Sequence, residues 1–124
     1  MSGLCLAAGA LAATLATDVV TLAWTHSVEK TAWQEDYRLI GGGLVVEEAR
    51  IKGSGAGMEP PAGAVLRDGW WAYRPAAPAA AALRLTHSDF AADYRLCWDG
   101  ACRTLGELLP GLPGTAVVEL RPCG

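Results

Sequence analysis

The dipeptide Asp99-Gly100, flanked by Trp98 and Ala101 and then by Cys97 and Cys102, constrains this chain more than any other stretch. Asp-Gly is the strongest two-residue hairpin signal, because a turn that matches the twist of two antiparallel strands needs a positive φ at both central residues. The turn pairs Trp98 with Ala101 and brings Cys97 opposite Cys102, where Cα atoms at a non-hydrogen-bonded site lie about 4.5 Å apart, within disulfide range. Cys5 and Cys123 are then left for each other, on the first and last strands of a closing sheet.

Alternating rows surround this hairpin. Val20, Leu22, Trp24 and His26 share one strand face, and Leu83, Leu85 and His87 share another, so each histidine ends an apolar row. The order Leu22…Thr25-His26-Ser27, then Asp36-Tyr37-Arg38-Leu39, then a glycine turn recurs as Leu83…Thr86-His87-Ser88, Asp93-Tyr94-Arg95-Leu96 and the Asp99-Gly100 turn. Read as a duplicated three-strand meander, with Gly3 to Ala8 and Trp70 to Arg74 as leading strands and Thr115 to Arg121 as a last one, this predicts an all-β fold. The expectation is a small barrel or sandwich of eight or nine antiparallel strands with very little helix, limited to one turn around Leu108 and Leu109. Within the first meander, pairing Leu22 with Leu39 and Trp24 with Tyr37 sets His26 opposite Glu35, whereas His87 falls opposite Ala92. Of Trp70 and Trp71, one indole is expected to be buried and the other at a rim.

The halves, about 1–52 and 64–124, are joined by the glycine-rich loop 53–63. Lys52-Gly53-Ser54-Gly55-Ala56-Gly57-Met58-Glu59-Pro60-Pro61 can be neither helix nor strand, since glycine costs backbone entropy and proline removes a ladder donor. Backbone N–H groups in such a loop can form a concave nest for an anion; a plain crossover between the halves is the alternative. No Gly-Lys-Ser/Thr follows, so this is not a phosphate loop. No cofactor is expected.

With 124 residues, 52% hydrophobic and 19% charged, the chain is read as a single domain. A net charge of -3 and no Lys/Arg cluster leave nothing to release counterions from a nucleic acid, which is not an expected partner. Asp18 interrupts the apolar stretch before it reaches the roughly 20 residues of a membrane span. The run Leu4 to Leu15 has no preceding Lys or Arg, and Gly3 to Ala8 reads as a first strand rather than as part of a signal peptide. Two disulfides suit an oxidising compartment such as a bacterial periplasm, and two reduced pairs a cytosolic chain; the former is favoured.

The candidate site gathers His26, Ser27, Glu29 and Glu35 at the first hairpin mouth. Lys52, Gly53, Ser54, Gly55 and Gly57 join from the loop, and Trp33 serves as an aromatic wall. A histidine beside a carboxylate can act as a base or an oriented ligand. Three chemistries compete for it. A hydrolytic site would need Ser54 to approach His26, because Ser27 points to the other face. A metal site would use His26, Glu35 and His87. A buried His26–Glu35 hydrogen bond would merely tie the hairpin, as buried polar groups are normally paired.

Thr25-His26-Ser27-Val28-Glu29-Lys30, Trp33, Glu35 and Gly53-Ser54-Gly55-Ala56-Gly57-Met58 resemble the signature of a bacterial family, the domain-of-unknown-function family eighteen-fifty. That resemblance covers nearly the whole chain. It implies an accessory role in solute uptake, since members are typically encoded beside the permease of TAXI-type tripartite (TRAP) transporters. Members often carry an N-terminal hydrophobic leader that places the domain outside the cytoplasm; this chain begins almost at its first strand. The expected function is binding of a small anionic solute, such as an organic acid, or of a transport component. The rivals are a small enzyme built on His26 and a purely structural module.

Overall fold

The computed structural model describes residues 3–25, 31–52 and 61–123. Turn residues with positive φ divide the chain into short strands. Gly9 closes the hairpin between β1 (Gly3–Ala8) and β2 (Leu11–Leu15). Gly41 and Gly42, at φ 56° and 82°, join β4 (Ala32–Ile40) to β5 (Gly43–Lys52), and β3 (Val19–Thr25) precedes them. Asp68 and Gly69 turn β6 (Val65–Arg67) into β7 (Trp70–Tyr73). After β8 (Leu83–Ser88), Asp99 and Gly100, at φ 51° and 78°, join β9 (Arg95–Trp98) to β10 (Ala101–Thr104). A single turn of helix, α1 (Leu105–Leu108), and β11 (Thr115–Cys123) complete the described chain. Thr104 caps α1 through a reciprocal box with Glu107, which satisfies N–H groups that a helix start leaves free.

These strands form two antiparallel sheets, β2-β1-β11-β8 and β10-β9-β3-β4-β5-β7-β6. The molecule is a sandwich with eleven described strands, two more than expected because β2 and β6 were not anticipated. Leu4 and Leu6 of β1, Leu85 of β8, and Val118 and Leu120 of β11 pack on Val20, Leu22, Tyr37, Leu44 and Leu96 of the larger sheet. Each such side chain contributes about 1.5–3 kcal/mol through burial.

Both disulfides are formed. Cys97 and Cys102 are cross-strand partners with Cα atoms 4.0 Å apart, and Cys5 and Cys123 tie β1 to β11 at 5.7 Å.

The meander is not duplicated. β3 and β4 form a hairpin, but β8 and β9 lie in different sheets, with β8 against β11 and β9 against β3. The connection explains the difference: only six residues, Asp89 to Tyr94, separate β8 from β9, and they carry the chain across the sandwich instead of back along β8. The two Asp-Tyr-Arg-Leu segments therefore flank β3 on either side, with Leu22 opposite both Glu35 and Leu96.

The register of the first hairpin also differs from expectation. Val20 faces Tyr37, Leu22 faces Glu35 and Trp24 faces Trp33, so Glu35 is not drawn against His26 by this pairing. The stacked indoles of Trp24 and Trp33, centroids 5.9 Å apart, account for it, since cross-strand aromatic pairs are favoured. Trp70 and Trp71 are both half-buried, rather than one buried and one at the rim.

Candidate functional site

Of the predicted site, the structure describes Trp33, Glu35 and Lys52. His26, Ser27, Glu29, Gly53, Ser54, Gly55 and Gly57 lie outside the described residues. The three that are described do not converge. Glu35 accepts a hydrogen bond from the Tyr37 hydroxyl at 2.8 Å on the inner face of the large sheet. Burial, and then that bond, push the Tyr37 phenol well above its usual range. Alternation along β5 puts Lys52 on the opposite face, with its ammonium 5.1 Å from the Trp70 ring. Trp33 stacks behind Trp24, and its buried Nε1 has no partner among the described residues.

A histidine–carboxylate pair does exist, on the other histidine. β8 ends its inward row Leu83, Leu85 with His87, which is buried at 8% exposure. The crossing segment returns Asp93 to it, with Asp93 Oδ1 3.0 Å from His87 Nδ1. An ionised carboxylate only accepts, so Nδ1 carries a proton and Nε2 is left for other partners. Asp93 is itself held in place by the Gly106 N–H, which donates to Oδ2 at 2.9 Å from the first turn of α1. The expectation that His87 would face Ala92 fails because it assumed a hairpin where the chain crosses between sheets.

Around this pair lies a cavity of about 230 Å³ at one end of the sandwich. Its walls are Trp24 and Thr25 from the end of β3, Thr86 to Ser88 from the end of β8, and Ala91 to Tyr94 from the crossing segment. Trp24 and Tyr94 stand 6.1 Å apart at a tilted angle, the former backed by Trp33. Among the described residues, no lysine or arginine lines it. The nearest other charge to His87 Nε2 among the described residues is Asp89 Oδ1 at 3.6 Å, beyond hydrogen-bond range. Ser88 is turned to its own loop, where its Oγ accepts from the Phe90 N–H at 3.1 Å. Asp89 is anchored through its N–H to the Gly114 carbonyl at 2.8 Å, so the turn that carries it is fixed at its base.

Chemically, an oriented imidazole between two aromatic walls and a few hydroxyls can hold the polar head of a small molecule while its body packs on indole and phenol. The described residues contain no group of three or more His, Cys, Asp or Glu side chains arranged for a metal ion. Asp93, Trp24 and Tyr94 were missed as site residues, although the sequence does signal them: the two short segments Trp24-Thr25 and Asp93-Tyr94 each border an apolar row that ends near a histidine.

A second polar cluster lies on the outer face of the large sheet. Arg50 donates to Asp36 at 2.7 Å through both terminal nitrogens, to Gln34 at 2.9 Å and to Glu48 at 2.9 Å. Thr21 donates to Asp36 at 2.7 Å and Arg67 to Glu48 at 2.9 Å. Burial alone would raise the Asp36 carboxyl, but the bonds from Arg50 and Thr21 outweigh it and hold it below the usual range. Every charge in this cluster is matched, within β5, across to β4, or from β6 over the intervening β7, which makes it a lattice of ties along and across the sheet.

Comparison with known proteins adds one relationship. The profile of the family described as Domain of unknown function (DUF1850) matches residues 20–105. The chain belongs to that family. Trp24, His87, Asp93 and Tyr94 all fall within the DUF1850 match, together with β8 and the larger sheet except its first residue, Val19. No curated protein and no solved structure matches the chain.

Proposed function

We propose that this DUF1850 domain binds a small carboxylate-bearing solute in the Trp24–His87–Tyr94 cavity and serves as an accessory part of a TRAP-type uptake system outside the cytoplasm. The observation that carries this reading is His87: a buried imidazole locked at Nδ1 by Asp93, with Nε2 unbonded among the described residues beside a cavity with two aromatic walls. A carboxylate is the complementary head group for an imidazolium N–H, and an apolar body suits the walls. Two disulfides are compatible with an oxidising compartment. No helix among the described residues is long and apolar enough to cross a membrane. The transporter link rests on the resemblance set out above.

Titration of labelled protein with benzoate, isobutyrate and succinate, followed by amide and imidazole NMR, tests the reading. Shifts should centre on Trp24, Thr25, His87 and Tyr94, and Trp24→Ala should weaken binding at least tenfold. Shifts confined to the segment 53–60, or none with any of the three acids, would remove this cavity as the carboxylate site. Phe90, 96% exposed in the turn beside the cavity, favours a second reading in which that turn docks onto a transport component. Phe90→Ser should then abolish docking while leaving benzoate affinity unchanged.

A further inference from the structure

Resting on that reading of the cavity, we infer that carboxylate binding at His87 is coupled to uptake of one proton, so that the site takes an organic acid as anion plus H⁺. The Asp93 carboxylate fixes the tautomer, because it accepts from Nδ1–H at 3.0 Å and is itself pinned by the Gly106 N–H. In a neutral imidazole so oriented, Nε2 presents a lone pair, and a lone pair repels a carboxylate oxygen. At Nε2 itself the anion can be held only when that nitrogen bears a proton.

The balance is simple. Neutral His87, one ligand carboxylate and one proton from solvent give an imidazolium that donates Nδ1–H to Asp93 and Nε2–H to the ligand. No bond other than N–H forms, and no electron is transferred. Among the described residues no permanent cation in the cavity walls offers an alternative, since neither a lysine nor an arginine is found there.

Among the described residues, the charged and titratable groups facing His87 are few. Asp93 sits at Nδ1 and Asp89 at 3.6 Å from Nε2, both on the crossing segment, and Tyr94 shares the cavity. From α1, Glu107 feels the Asp93 carboxylate but makes its own bonds with Thr104. Trp24 and Thr25 of β3 and Ala116, the β11 partner of His87, carry no charge. Asp89 is the one group positioned to compete with a ligand carboxylate for the protonated Nε2. Its carboxylate lies on the same nitrogen at a distance that leaves the hydrogen bond unmade, and it is 73% exposed.

Calorimetry with benzoate from pH 5.5 to 8.5, in buffers of different ionisation enthalpy, reads the proton count directly. Uptake approaching one proton per benzoate at the alkaline end is expected, with affinity falling tenfold per pH unit there. His87→Gln keeps a fixed donor at this position and should bind with a flat pH profile, and Asp89→Asn should tighten binding several-fold without changing the proton count. Imidazole ¹⁵N shifts of the unmodified protein, which need no variant to fold, should move to the protonated value at Nε2 on saturation. Benzoate that binds in the cavity with no proton uptake and a flat profile overturns the coupling alone. Benzoate that fails to bind there overturns the carboxylate reading beneath it.

Discussion

Removing each disulfide in turn should separate two very different contributions to stability. Cys5–Cys123 closes the chain almost end to end, at a sequence separation of 118, whereas Cys97–Cys102 closes a separation of 5. If a crosslink stabilises by restricting the unfolded chain, the first contributes about 5 kcal/mol and the second about 2 kcal/mol at 25 °C. For a chain of 124 residues the unfolding entropy is about 260 cal/mol/K, so the corresponding losses in melting temperature are about 19 °C and about 8 °C. The assay is thermal unfolding by circular dichroism of Cys5→Ala/Cys123→Ala and Cys97→Ala/Cys102→Ala, each made as a pair so that no free thiol remains. In the second variant the Asp99-Gly100 turn still directs the hairpin, which further limits its loss. Equal losses from the two variants would refute the chain-entropy argument and point to local packing as the source of both.

Two further outcomes follow from local geometry. Arg50→Met should destabilise at pH 7 and lose that effect as pH falls: Asp36 and Glu48 are both held below the usual carboxylate range, so their stabilisation is present above the unfolded value and disappears as pH drops through the folded one. Chemical denaturation of both proteins at pH 7 and pH 3 should show the gap closing. Gly100→Ala should cost about 1–2 kcal/mol, because φ at that position is positive and a side chain is strained there; an unchanged denaturation midpoint would count against the turn.

What the sequence disclosed, and what it withheld, divide along the line between local and non-local choices. The Asp99-Gly100 turn dictates its own backbone, so the hairpin and its disulfide could be read directly. The same signal at Asp68-Gly69 was overlooked, because Val65 to Arg67 is only three residues long and exposed. Face assignments held: Val20, Leu22 and Trp24 point inward, as do Leu83, Leu85 and His87. Pairing offsets did not hold. Moving β4 by four residues against β3 turns Trp24–Tyr37 into Trp24–Trp33 and leaves every side chain on its original face, so alternation cannot detect the shift. Whether β8 returns on itself or crosses the sandwich is likewise decided by what β11 offers it, some thirty residues away in the chain. The histidine–carboxylate pair among the described residues therefore stands on the second histidine, and it depends on a connection whose six-residue length was the available clue.

The match to DUF1850 also bears on what holds the cavity open. It spans residues 20–105, while β1, β2 and β11 lie outside it. His87 stands on β8, whose only sheet neighbour among the described strands is β11, with Ala116 directly opposite. Of the fourteen buried residues in the main core, seven lie outside the matched segment: Leu4, Leu6, Ala8, Leu15, Leu109, Val118 and Leu120. Six of these are large, and at about 1.5–3 kcal/mol each their burial amounts to about 9–18 kcal/mol, as much as the whole net stability of a typical domain. A fragment of residues 20–105 should therefore fail to fold on its own, although it carries every residue named for the cavity. Amide NMR of that fragment should show collapsed dispersion and its melt should lack a cooperative transition, whereas 1–124 should show both. A well-dispersed spectrum with a sharp melt from 20–105 would mean that the larger sheet supports β8 and His87 without β11, and that the sandwich core is not what positions the site.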